Sequence, residues 1–277
     1  MSNRNTKRLL VGASLLSLVV VLAACGTSTV TENSTGFWDR QIIYNAAQFI
    51  IWLSNLLGGN PGMGIIAFTL IVRVLIFPLS YIGIKNMGKQ QEIAPEMKAL
   101  QKKYSSKDAE TQRLLQQETQ KLYAKEGINP MMGCLPLLVQ MPFMIALYQA
   151  IYRTEALKVG KFLWFNLGSP DHTWILPILA ALFTLLSTLT STMSQPTQNA
   201  MTWSMAVISP LMILFMGAKF PSALALYWVV TNAFQLGQTF LLQNPFKIKR
   251  EREAKEQAKR DKEKAKRKAY KKALRKK

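Results

Sequence analysis

The chain has 277 residues, 49% of them hydrophobic, and carries a formal net charge of +20 from 35 lysines and arginines against 15 acids. That pairing argues against one blended soluble domain. Uncharged runs fill much of 62–82, 132–152 and 174–243, while basic residues crowd 84–130 and 247–277. Two cysteines in unlike settings and a single histidine, His172, exclude a disulfide framework and a structural zinc site.

Residues 1–24 have the layout of a secretory signal: Arg4, Lys7 and Arg8, then the apolar run LLVGASLLSLVVVL, then Ala23-Ala24 ahead of Cys25. LAAC followed by glycine resembles the lipobox of bacterial lipoproteins. The resemblance implies a lipid-modified Cys25 (a palmitate-type lipoprotein) as the first residue of the mature chain, on the outer face of a bacterial cytoplasmic membrane. Each buried methylene of such an anchor adds about 0.8 kcal/mol. The competing reading is an uncleaved first helix with an incidental cysteine. Residues 25–61 then comprise the anchor, a polar linker from Thr27 to Gly36, and an amphipathic helix over 38–57. In that helix Ile42, Ile43, Ala46, Phe49, Ile50 and Leu53 recur near helical period, and Trp38 and Trp52 suit the headgroup zone. The GGNPG run at 58–62 ends it.

Residues 62–245 read as an all-α polytopic core of five membrane spans, at about 62–83, 132–152, 174–192, 203–219 and 222–243. The loop 84–130 carries nine lysines and arginines, 153–173 carries Arg153, Lys158 and Lys161, and 193–202 carries none. Positive residues stay on the cytoplasmic side, so 84–130 and the carboxyl terminus are inside and the amino terminus outside. The inside loop patterns as a helical hairpin. One helix runs from Glu92 to Tyr104 with Pro95 near a first turn or at a kink, and a second starts at Asp108 and ends near Gly127. Its apolar positions are too sparse for a core, and the pattern fits a projecting hairpin or a plain connector equally. The tail, 246–277, holds 17 lysines and arginines against five acids over 247–277, a net +12. It has helix-favouring pairs such as Glu251–Lys255 and suits phosphate backbones or anionic headgroups alike.

The segment IIAFTLIVRVLIFPLS holds Arg73 about ten residues from either end of the first span. A central arginine costs roughly 2.5–3.5 kcal/mol to insert, reduced by a partner or by water. None of the five spans contains Asp or Glu, so water in a cavity between helices is the expected solvent. Thr69 lies one turn before Arg73. Gln140 comes from the second span, Thr184, Ser187, Thr188 and Ser191 from the third, and Trp228, Asn232, Gln235 and Thr239 form one stripe on the fifth. Each polar residue alone fits interhelical hydrogen bonding equally well. Membrane-embedded carboxylates for cation-coupled transport are absent, as are HExxH, GxSxG and a Ser/His pairing. The expectation is a protein that is not an enzyme and has no cofactor. Its groove would lower the cost of moving a polar, often acidic, peptide partway into the bilayer.

Three separated runs carry a resemblance: TLIVRVLIFPLS, NPMMGCLPLLVQMPFMIALYQAIY behind LYAKEGINP, and FPSALALYWVVTNAFQLGQ. Over about residues 37–245 the chain resembles the YidC/Oxa membrane protein insertase family, in its five-span Gram-positive lipoprotein form. The resemblance implies five helices around a hydrophilic groove open to cytoplasm and lipid but closed outside, a cytoplasmic hairpin and an outer interfacial helix. It also implies a substrate groove holding Arg73, Thr69 and the Tyr227/Trp228 pair. Implied partners are nascent membrane proteins, membrane lipids, the ribosome through the basic tail, and Sec translocase and signal-recognition components. Ala223 departs from the glycine many relatives carry there. The expected function is a membrane protein insertase and chaperone that releases spans sideways into lipid. The alternative is a small-solute channel or transporter, and a third reading is a lipoprotein that only tethers ribosomes.

Overall fold

The computed structural model describes residues 28–133, 135–194, 200–242 and 244–274, so the expected signal segment 1–24 and the lipidation residue Cys25 lie outside the described residues. After a short extended stretch the chain forms a π-helical segment, Phe37–Tyr44, that runs directly into α1, Asn45–Leu56. The sequence suggested one amphipathic helix lying in the outer interface. Ile43, Ala47, Ile50, Leu53 and Ser54 are buried, and α1 packs along the next helix, while Phe49, Trp52 and Leu56 remain exposed. Glycine spacing permits this close approach. A Cβ on Gly64 would collide with the Ser54 hydroxyl and stand 2.6 Å from the Ile50 carbonyl oxygen. Gly64→Ala therefore lowers stability by roughly 1–3 kcal/mol, the usual range for overpacking a tight contact, read from unfolding in detergent.

Helix α2, Pro61–Glu92, begins where the Asn60 side chain accepts the Gly62 N–H at 2.9 Å and Pro61 fills the first turn. At 32 residues it runs past the expected end at 83 and carries the chain into the basic loop. Its buried stripe is Ile65, Thr69, Val72, Ile76, Ser80 and Gly83. The loop then folds into α3, Ala94–Lys103, with Pro95 in its first turn, and α4, Ala109–Lys125. Contrary to expectation, the hairpin has a small core: Ile93, Leu122 and Ile128, with Met97, Leu100 and Tyr123 packed on it. Asn86 closes its base, donating to the Asn129 carbonyl at 2.6 Å and accepting the Asn129 N–H at 3.1 Å.

Asp108 caps α4, its carboxylate accepting the Thr111 N–H at 2.7 Å. Bonding from the Ser106 hydroxyl and then from Thr111 holds this carboxyl down at about 2. A depressed carboxyl stabilises fully above its unfolded value, roughly 3.9, and loses that contribution as pH falls through the folded value. Amide exchange at Thr111 should therefore stay protected from pH 8 to about 4.5 and rise only as pH approaches 2.

A 3₁₀ turn, Pro130–Gly133, leads to α5, Leu135–Arg153, and the short α6, Glu155–Lys158. A two-stranded antiparallel hairpin follows that the sequence reading missed: β1, Lys161–Phe162, pairs with β2, Phe165–Asn166. Helix α7, Ile175–Ser194, is capped by Asp171, which accepts from Thr173 N at 3.0 Å and Leu176 N at 2.8 Å. Helices α8, Ala200–Lys219, α9, Ser222–Leu242, and α10, Pro245–Leu274, complete the chain. At the start of α9 the orphan N–H groups of Ser222 and Ala223 donate to the Ser169 and Leu167 carbonyls at 2.8 and 3.1 Å.

Among the described residues three helices are long and apolar enough to cross a membrane: Pro61–Glu92, Ile175–Ser194 and Thr202–Lys219. Helices also occupy the second and fifth expected spans, as α5 and α9. Helix α2 packs on α9, α9 on α7, and α7 on α8. Helix α5 leans on the π-helical segment, α1 and α2, and only lightly on α9. It has no comparable packing with α7 or α8 among the described residues.

Candidate substrate groove

Arg73 sits on α2 one turn after Thr69, at the edge of the buried stripe, and faces α9. Its guanidinium interacts electrostatically with the Tyr227 phenol. Among the described residues no carboxylate pairs with it, and its Nε is buried without a hydrogen-bond partner. The Tyr227 hydroxyl and the Thr231 hydroxyl, one turn later on α9, are buried beside each other and interact with one another. Three polar groups therefore gather at the α2–α9 seam with no carboxylate among the described residues.

The other expected groove residues divide into two groups. Thr69 is buried and donates to its own helix at Ile65 O, 2.7 Å, and Trp228 is buried in the core. Gln140, Asn232 and Gln235 are half-buried. The Asn232 amide donates back to Trp228 O at 2.9 Å, and Thr239 to Gln235 O at 2.9 Å. On α7 the hydroxyls of Thr184, Thr188, Thr190 and Ser194 bond carbonyls of their own helix, and Thr188 also reaches Ala206 O on α8 at 3.3 Å. Of these hydroxyls, Thr188 bonds another helix; Thr184, Thr190 and Ser194 satisfy carbonyls of α7 itself, as Thr69 does on α2.

Two side chains escaped the sequence reading. Thr231 could have been found from its four-residue spacing after Tyr227. Arg153 read as an ordinary loop cation, yet it is 2% exposed and bonded in a fork to Asp39, at 2.9 and 2.6 Å. Nothing in the local sequence links positions 39 and 153.

Comparison with known proteins decides the family. Residues 52–251 match the family described as the 60Kd inner membrane protein. A relative from Enterococcus faecalis named membrane protein insertase YidC is 58% identical over 247 residues, 89% of each chain. The chain belongs to the YidC/Oxa insertase family. Another YidC, from Lactiplantibacillus plantarum, is 56% identical over 251 residues, 91% of each chain. A crystal structure of an active YidC insertase with its first transmembrane domain resolved superposes with a TM-score of 0.58 at 29% identity. That match covers 74% of this chain and 47% of the other, so the chain spans about half the length of that insertase. The helices described above therefore form a YidC-type helical core.

Proposed function

We infer that this protein is a membrane protein insertase and chaperone that takes a hydrophilic segment of a nascent membrane protein into a cationic groove. The client's span then leaves sideways into lipid through the side between α5 and the α7–α8 pair. The observation that carries the reading is Arg73, held at the α2–α9 seam beside Tyr227 with no carboxylate partner among the described residues. Water reaching the guanidinium keeps it ionised at mid-bilayer depth, and the charge attracts acidic residues of the client. Thr69, Gln140, Tyr227, Trp228, Asn232 and Gln235 line the path. The release step needs no covalent chemistry.

In this reading α2, α5, α7, α8 and α9 are the five spans of the 62–245 core. Residues 84–130 are a cytoplasmic hairpin, Cys25 anchors the outer end through lipid, and the 246–277 tail tethers ribosomes from the cytoplasm. Sec translocase and signal-recognition components are the partners that the family suggests. A photoreactive residue at position 69 or 228 tests this directly. It should capture a ribosome-bound nascent chain with a membrane span. No capture, together with a solute flux that depends on Arg73, would make the protein a channel or transporter instead.

A further inference from the structure

Burial along α5 is uneven. Ala146, Leu147, Gln149, Ala150, Ile151 and Arg153 are buried, whereas none of residues 138–145 is, and Leu138, Met141 and Phe143 are exposed. Pro142 falls inside the poorly packed half. Having no N–H, it leaves the Leu138 carbonyl without its helical partner and weakens the helix there.

The buried end is held by a polar clasp. Besides the fork to Asp39, the Arg153 guanidinium donates from Nη1 to Gln149 Oε1 at 3.0 Å and from Nε to the Ser28 carbonyl at 2.7 Å. Gln149 Oε1 also accepts the Trp38 indole N–H at 3.3 Å, and Val30 N donates to Arg153 O at 2.9 Å. One side chain thus gathers the amino-terminal linker, the π-helical segment and the end of α5. A planar fork fixes orientation as well as distance, which a point charge does not.

We propose that Arg153 is a positioning residue for insertion: its clasp holds the outer half of α5 as the groove's closed end, while the inner half, hinged at Pro142, is the wall that swings to admit a client. This rests on the insertase reading. A wall that opens needs one fixed end, or each opening would breach the outer seal. The loosely packed half is the part that moves at low cost.

The test uses the full chain with Cys134→Ser and one probe, Ala146→Cys, buried in the clasped half, in right-side-out and inverted vesicles. A charged, membrane-impermeant thiol reagent reads closure from each face. Arg153→Gln should raise labelling from the outer face on the order of tenfold and leave labelling from the inner face unchanged. Arg153→Lys keeps the charge but loses the planar fork to Asp39, so outer labelling should rise most of the way to the Arg153→Gln level. Pro142→Ala should lower nascent-chain capture at position 140 several-fold without changing outer labelling. Should Arg153→Gln not accumulate, Asp39→Asn takes its place with the same expectation. Equal outer labelling in parent and Arg153→Gln overturns the proposal, as does a rise from both faces or an Arg153→Lys variant that labels like the parent. Unchanged capture in Pro142→Ala removes the hinge. If even the parent captures no client, the insertase reading fails, while the labelling still decides the clasp.

Discussion

Arg73→Ala lowers insertion of clients with acidic translocated flanks by roughly 10- to 100-fold, while Arg73→Lys keeps most of it. Carrying one carboxylate to the bilayer centre costs roughly 2.5–3.5 kcal/mol on insertion scales, and each 1.4 kcal/mol is about a factor of ten. A cation at the α2–α9 seam offsets part of that cost, and removing it restores the barrier. Lysine preserves the charge, and nothing among the described residues forms a fork with Arg73 that lysine would lose. The same substitution should leave the folded protein at least as stable. It removes a partly buried charge with no carboxylate partner, whose desolvation opposes folding. Protease protection of the client measures the first effect and unfolding in detergent the second. Lost insertion together with lost stability would point to a structural arginine instead.

The opposite stability result is expected at the outer end. Arg153→Ala leaves the Asp39 carboxylate without its fork, and Asp39→Ala leaves a 2% exposed guanidinium unpaired. Breaking a buried pair from one side typically costs 3–5 kcal/mol. Asp39 retains 27% side-chain exposure, so about 3 kcal/mol is the expected loss for Arg153→Ala and more for Asp39→Ala. The double variant should recover a substantial part, giving a coupling energy of roughly 1–3 kcal/mol in a double-mutant cycle. Additive effects would mean that the two charges do not act as a unit.

Local signals were legible in the sequence wherever the cause was local. The break at 58–62, the Asp108 start of α4 and the helix end ahead of Gly127 follow from side chains within a few residues of the feature. The family was legible because three apolar runs kept their order and spacing. Features that depend on distant partners were not. Helical period in 37–57 showed an apolar face but not that part of it packs on α2 through Gly64. The hairpin looked too polar for a core, yet Ile93 and Ile128 lie outside its helices and supply the missing contacts to Leu122. Arg153 and Asp39 lie 114 positions apart, and no periodicity connects them.

The candidate groove was partly legible. Arg73 stood out because charge in an apolar run is costly, and its lack of a carboxylate partner could be read from composition alone. The neighbouring hydroxyls could not be sorted in that way. A threonine that bonds its own helix and one that faces a cavity have the same sequence signature. Only geometry separated the α7 hydroxyls from Tyr227 and Thr231.

The central claim is that a path from the cytoplasm reaches the seam where Arg73 lies and that clients occupy it. Cysteines added one at a time at positions 140 and 232, each read against the Cys134→Ser parent that keeps Cys25, test it with a charged thiol reagent applied to inverted vesicles. Both should react from the cytoplasmic face, and a stalled nascent membrane protein should protect both. Reaction from neither face, or reaction that a stalled client leaves unchanged, would contradict the account.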